Sequence, residues 1–257
     1  MGELRILIAD DHEIVRRGIS ELLRVHDGWR VCGEAADGRA AVEQVKRLQP
    51  DIVILDIGMP NLNGLDATRQ ILHHNPLQRV LILTLIESEQ VVLEVLNAGA
   101  RGYLSKSEAA KDLVSAVESL EQNRSYFNSR VAHIVLNSCL NRSTRLPKSF
   151  PEPILTSGER EVLQLIAEGK STKDVAVALN LSVKTAETHR GNLMRKLDLH
   201  SITALVLYAI RNNIIQVPAS SAQAACEENA SASASSSTET VRSKNRSKHC
   251  ASAEPDA

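Results

Sequence analysis

The sequence predicts an α/β, doubly wound parallel five-stranded sheet followed by a small all-α domain. Three observations carry that expectation. Five short apolar runs, at residues 4–9, 30–35, 51–55, 79–84 and 101–104, alternate with stretches of helical periodicity in the first 124 residues. The runs are largely apolar instead of strictly alternating, as strands buried on both faces by flanking helices are. From residue 154 to 215 the apolar positions recur at helical spacing, with Gly169 and Asn180-Leu181-Ser182 as the breaks.

Each element has its own signal. The run at residues 4–9 ends at Asp10-Asp11, and Ile14, Ile19, Leu22 and Leu23 then mark a helix. The third run leads into Asp56-Ile57-Gly58-Met59-Pro60, a turn sequence. After the fourth run, Val91, Val92, Val95 and Leu96 give a second clear helical stripe. Repeated β-α alternation implies a doubly wound sheet, whose site lies beyond the carboxyl ends of its strands.

Composition narrows the function classes. The chain has 257 residues, 30 Lys+Arg against 31 Asp+Glu, and 43% hydrophobic residues. No apolar run approaches the ~20 residues needed to cross a bilayer. Met1-Gly2-Glu3-Leu4-Arg5 is no secretory leader, so a cytoplasmic protein without a membrane partner is expected. Cys32, Cys139, Cys226 and Cys250 form no CxxC pair, against both a zinc site and a disulfide framework. Aromatics at 2% offer no stacking platform for single strands. Residues 1–124 carry 14 Lys+Arg and 19 Asp+Glu, a net of −5; residues 154–215 carry 8 and 6, a net of +2. That asymmetry hints weakly at a nucleic-acid partner for the second half. Residues 125–153 read as a linker with a helix at 129–140, and residues 216–257 as a disordered Ala/Ser-rich tail whose Arg242, Lys244, Arg246 and Lys248 are solvated.

Asp10 and Asp11 follow the first run and Asp56 the third, so the sheet brings three carboxylates to one edge at the topological switch point. Their mutual repulsion calls for a hard divalent cation, and Mg²⁺ with retained waters is the natural partner. Thr84 ends the fourth run and Lys106 lies just past the fifth, adding a hydroxyl and an ammonium. Together these groups suit phosphoryl handling: a nucleophilic oxygen with charge neutralisers around it. Taken singly, Asp10 is as readily a helix N-cap and Lys106 a solvated surface residue. Five residues of the right kinds at successive strand ends are harder to assign to chance.

Residues 1–124 resemble the receiver domain of bacterial two-component response regulators, which is flavodoxin-like in fold. The resemblance rests on Asp10-Asp11, on Asp56 with Gly64 eight residues later, on Thr84, and on Gly102-Tyr103-Leu104-Ser105-Lys106. It implies that Asp56 accepts a phosphoryl group and that Asp10, Asp11, Asp56 and the Gly58 carbonyl hold Mg²⁺. It further implies that Thr84 and Lys106 bind the phosphoryl oxygens and that Tyr103 rotates with the state of the site. Leu85 and Ile86 fill two positions that vary in the family, with a bearing on phosphate access. A competing reading is a phosphohydrolase of the haloacid dehalogenase type, which would place a second Asp at the position of Gly58. Glycine has no proton to transfer, so a held phosphoryl group fits better than rapid turnover, and the protein reads as no enzyme.

The second half begins with Thr156 and Glu159 three residues on, a capping box, and Gly169 fits the end of that helix. Ser171 opens a second helix, spanning residues 172–179, and Ser182 can cap a third, at 183–197. In the third, Val183, Ala186, Leu193, Met194 and Leu197 should face inward and Lys184, Glu187, Thr188, Gly191 and Arg195 outward. A helix-turn-helix that reads duplex DNA and a plain helical bundle explain this polarity equally well. The wording, from Leu155-Thr156-Ser157-Gly158-Glu159-Arg160-Glu161 through Gly169-Lys170-Ser171-Thr172-Lys173 to Thr188-His189-Arg190 and Lys196-Leu197, closely resembles the LuxR-type helix-turn-helix. Gly158 and Thr172 depart from that pattern. Joined to a receiver, this half resembles the NarL/FixJ response regulators.

The resemblance implies a transcription factor phosphorylated by a sensor histidine kinase and bound to duplex DNA as a homodimer, with RNA polymerase a further candidate partner. Lys184, Glu187, Thr188 and Gly191 are assigned to base edges or the groove floor, and Lys173, His189, Arg190, Arg195 and Lys196 to phosphates. A last helix at 201–212 has Ile202, Leu205, Val206 and Ala209 on one face, which a dimer seam and core packing explain equally well. An RNA-binding antiterminator with a receiver would lack the pattern of residues 169–197. A receiver that only docks protein partners would not retain DNA.

Overall fold

The structure, a computed structural model, describes residues 3–86, 88–134 and 155–215. The expected tail, most of the linker and the second half of the helix at 129–140 lie outside those residues.

The first half has five strands: β1 (Leu4–Ala9), β2 (Trp29–Ala35), β3 (Ile52–Asp56), β4 (Arg79–Thr84) and β5 (Gly102–Ser105). They pair in parallel in the order β2-β1-β3-β4-β5, so the sheet is doubly wound as the apolar runs predict. Between and after them run α1 (Glu13–Arg24), α2 (Gly38–Leu48), α3 (Gly64–His74), α4 (Glu89–Ala98) and α5 (Ala109–Glu121).

Successive strand residues point to opposite faces, which divides the core in two. Leu7, Val53, Leu55, Val80 and Ile82 pack beneath α2, α3 and α4. Ile6, Ile8, Ile52, Ile54, Leu81 and Leu83 pack beneath α1 and α5. The inner strands β1, β3 and β4 therefore carry apolar residues on both faces, whereas the edge strand β2 exposes Arg30 and Glu34. Ile14, part of the predicted α1 stripe, is instead 87% exposed, because Val15, Ile19 and Leu23 supply the contact with the sheet.

Residues assigned by composition to the linker begin as part of this packing. Tyr126 bridges to Gly102 beside β5, its carbonyl accepting from the Tyr103 N–H at 3.0 Å. Residues 129–134 are helical, and Val131 is buried with Phe127 and Ile134 against the α4 side of the core. A polar composition concealed this, because three apolar side chains suffice to anchor the segment.

The helical half has α6 (Ser157–Ala167), α7 (Thr172–Ala178), α8 (Val183–Lys196) and α9 (Ile202–Arg211). Thr156 and Glu159 form the expected capping box, and Ser171 forms a second with Asp174. Gly169 sits at φ +86°, a left-handed conformation that favours glycine, so α6 stops there. Leu163, Leu165, Val175, Ala176, Ala186, Leu193, Leu205 and Ala209 form the core of this half. Val183, expected to face inward, is instead 41% exposed, and Ile202, on the stripe that a seam or core packing could explain, is 49% exposed. Both are the first residue of their helix, and a helical side chain leans toward the preceding turn, which neither has.

Candidate functional site

β1 and β3 are neighbours in the sheet, and their carboxyl ends place Asp10 and Asp56 side by side at the point where the strand order reverses. Both are buried, at 1% and 5% exposure. Lys106, just after β5, extends its Nζ to 2.6 Å from Asp10 Oδ2 and 3.0 Å from Asp56 Oδ2. Asp11 is more exposed and pairs with His12 Nδ1 at 2.7 Å. Asp10, Asp11, His12 and Asp56 each offer a ligand atom, all within 4.8 Å of one another. Three convergent carboxylates are hard oxygen donors, the set that suits Mg²⁺. Asp10 also accepts the His12 N–H at 2.9 Å, so its turn-forming role and its place on the rim coexist.

Burial raises the Asp56 carboxyl above its ordinary value; the Lys106 ammonium opposes the rise, and Asp10 and Asp11 reinforce it. Burial alone would lower Lys106, but Asp56 and Asp10 outweigh it and hold the ammonium above its ordinary value. The rim thus keeps a protonated lysine against a carboxylate that is costly to leave charged.

Thr84 closes β4 fully buried, and its carbonyl accepts the Lys106 N–H at 2.8 Å, tying the two strand ends together. Its Oγ1 accepts the Ile86 N–H at 3.1 Å, while the Tyr103 hydroxyl donates to the Ile86 carbonyl at 2.9 Å. One residue, Ile86, therefore links the rim threonine to the aromatic side chain. Ile86 packs on the core, whereas its neighbour Leu85 is 69% exposed. Gly64 follows from the loop geometry, since a Cβ there would lie 1.9 Å from the Asp56 carbonyl. Asp10, Asp11, Asp56 and Lys106 thus meet at one rim, with Thr84 at its edge and Tyr103 linked to Thr84 through Ile86.

On α8, Lys184, Glu187, Thr188, Gly191 and Arg195 are exposed, as is Lys173 on α7. Other assigned phosphate contacts are tied within the domain. Lys196 Nζ lies 2.8 Å from Glu159 Oε2, and this bond with the Thr156 N–H holds the Glu159 carboxyl below its ordinary value. Half-buried Arg190 reaches Thr172 Oγ1 at 3.4 Å, and His189 is half-buried as well.

The sequence reading missed the contact between the halves. Gln164 of α6, 1% exposed, accepts the Asn63 N–H at 2.8 Å and donates to the Met59 carbonyl at 3.0 Å. Glu168 accepts the Asn61 N–H at 3.0 Å, and Lys170 donates to the Asn61 side chain. Arg160 pairs with Asp66 at 3.1 Å, and Glu161 pairs with Arg39. The β3–α3 loop that follows Asp56 is therefore held by α6. One signal was available: Gln164 interrupts Val162-Leu163-Gln164-Leu165-Ile166, and an amide within so apolar a stretch needs a partner.

Comparison with known proteins agrees with this division. Residues 6–118 match the response regulator receiver domain, and residues 153–209 match the bacterial regulatory proteins of the luxR family. The oxygen regulatory protein NreC of Staphylococcus carnosus is 37% identical over 215 residues, covering 82% of this chain and 99% of that one. Among solved structures, the RcsB response regulator of Salmonella typhimurium superimposes with a TM-score of 0.54 at 28% identity, over 82% of this chain and 99% of its own. RcsB from Salmonella enterica serovar Typhimurium, bound to a promoter in the presence of a phosphomimetic, gives 0.50 at 27% identity, over 80% and 98%. Carboxylate rim, receiver topology and helix-turn-helix converge: the chain belongs to the two-component response regulators of the NarL/FixJ family, a receiver domain joined to a LuxR-type DNA-binding domain.

Proposed function

We propose that this protein is a transcription factor controlled by phosphorylation of Asp56. A partner histidine kinase presents a phosphoryl group on an imidazole nitrogen. An Asp56 carboxylate oxygen attacks the phosphorus, the P–N bond breaks, and the imidazole keeps the electron pair and takes up a proton. Asp10, Asp11, Asp56 and the Gly58 carbonyl would hold Mg²⁺, which when bound neutralises charge on the phosphoryl oxygens. Lys106 supplies a second positive charge, already fixed between the two buried carboxylates.

The product replaces a buried carboxylate with a group of about −1.5 to −2 charge. Thr84 turns its hydroxyl to that group, the Ile86 peptide loses the oxygen it donates to, and Tyr103 follows its carbonyl partner. Meanwhile the loop after Asp56 shifts, and with it the Met59 carbonyl and Asn63 N–H that bind Gln164. Release of α6 frees the DNA-binding half to pair as a dimer on two half-sites about one helical turn apart, or a multiple of that. Ile202 and Leu207 of α9, each 49% exposed, are available to such a seam, whereas Leu205 and Ala209 belong to the domain core.

The observation that carries the reading is the Lys106 ammonium seated between buried Asp10 and Asp56. Its test is acid-labile phosphate uptake from acetyl phosphate with Mg²⁺. Uptake should stop near one phosphate per chain and vanish in Asp56→Asn; unchanged uptake in that variant refutes the assignment.

A further inference from the structure

Lys46 of α2, Asp66, Arg69, Gln70, His73 and His74 of α3, and Leu155, Ser157 and Arg160 at the start of α6 line a cavity of about 900 Å³. It opens between the two halves and lies apart from both the carboxylate rim and the outer face of α8. The α3 residues Asp66, Arg69, Gln70 and His73 stand at i, i+3, i+4 and i+7, so one helical stripe forms one wall. Lys46 sits in the last turn of α2.

The charge of this lining is unbalanced. Asp66 is the one carboxylate among the described lining residues, and its oxygens are shared between Arg69 at 2.6 Å and Arg160 at 3.1 Å. Two guanidiniums thus share Asp66, with the half-buried Glu94 carboxyl, raised by burial and lowered by both arginines, outside the lining, and Lys46 adds a third permanent cation. His73 and His74 contribute exposed imidazole N–H groups and Ser157 a hydroxyl, while Gln70 donates its amide to Glu161 Oε1 at 2.8 Å. Guanidinium and ammonium groups gathered in a concave site recognise phosphate oxygens, the former by paired N–H donors and the latter as a point charge. The volume is that of a pocket for a metabolite-sized ligand, and domain junctions are where such pockets concentrate.

We propose that this crevice binds a small molecule carrying a phosphate or polyphosphate group, held by Lys46, Arg69 and Arg160 with donors from His73 and His74. Such a ligand touches α2 and α3 on one side and α6 on the other. It therefore stabilises the docked arrangement of the halves and opposes DNA binding by the same factor with which DNA opposes it. That consequence rests on the function proposed above; the binding itself does not.

Calorimetric titration of the full chain with ATP, and separately with inorganic pyrophosphate, tests it in EDTA, so that no metal-bound phosphate can form at the rim. The expected result is saturable one-to-one binding of at least one probe. Binding of pyrophosphate shows that the phosphates suffice, and binding of ATP alone shows that the rest of the cavity is needed. The variant Lys46→Gln/His73→Ala/His74→Ala changes only exposed side chains and should weaken binding tenfold or more, whereas Lys184→Gln should leave it unchanged. No binding of either probe, full affinity in the triple variant, or loss in Lys184→Gln, which would place the anion on the DNA-reading face, overturns the proposal. Phosphate uptake at Asp56 is read separately, so failure here leaves the receiver chemistry standing.

Discussion

The carboxylate rim and the outer face of α8 both work through charge, yet they are built oppositely. At the rim, three charged groups are nearly buried and lie 2.6 to 3.0 Å apart across β1, β3 and the end of β5. On α8 the assigned base-reading residues all belong to one helix and stand in solvent. Little water screens the first set, so each charge strongly shifts its neighbours. The second set is screened and adjustable, which suits contact with a polyanion that brings its own field and counterions. Chemistry demands the preorganised site, whereas recognition tolerates the solvated one. Substitution should therefore be felt first as stability and reactivity at the rim, and first as salt dependence on the helix.

The sharpest contrast comes from Lys106→Ala. Removing the ammonium leaves Asp10 and Asp56 buried and uncompensated, a loss of about 3–5 kcal/mol for breaking such a pair. Urea unfolding without metal should show it, and Mg²⁺ should restore part of it. Phosphate labelling should persist while the conformational response fails; an intact response removes Lys106 from the switch.

A pH series on Asp56→Asn comes next. The folded-state value of Asp56 is raised above its ordinary 3.8, so the native state binds that proton more readily than the unfolded chain. This group therefore favours folding less as pH climbs from 3.8 through its raised value, and at neutral pH its charge is a liability. Asp56→Asn should raise the melting temperature at neutral pH, with the gain shrinking to nothing as pH falls below 3.8. An equal gain at all pH values would show that the carboxylate is not strained by burial.

On the recognition side, Lys173→Ala should weaken binding of duplex DNA modestly and to a similar degree for all sequences. The slope of log affinity against log salt should fall by about 0.9, the contribution of one phosphate contact. Stability should hardly change, because Lys173 is exposed. A slope left untouched takes Lys173 off the backbone.

Much of this was legible in the sequence, for a physical reason. Parallel strands covered on both faces must be apolar at every position, so β1, β3 and β4 announce themselves, and the topology then fixes which residues meet at the switch point. Caps were equally readable, since Thr156, Ser171 and Ser182 each satisfy a first-turn N–H with a side-chain oxygen. What escaped depends on partners distant in the chain. Nothing local to Gln164 names Asn63 and Met59, 101 and 105 residues away. Nor does any stripe reveal that Lys196 is held by Glu159 or that His12 leans on Asp11. The cavity at α3 escaped for the same reason: its stripe is visible only once α2 and α6 supply the other walls.

Coupling between the rim and the helix is tested most directly by the affinity of the full chain for duplex DNA containing its site, by fluorescence anisotropy, before and after acetyl phosphate with Mg²⁺. Phosphorylation should tighten wild-type binding tenfold or more and leave Asp56→Asn unchanged. Equal affinity in the two wild-type states, with Asp56 shown to be fully labelled, would contradict control of α6 by the loop that follows the acceptor.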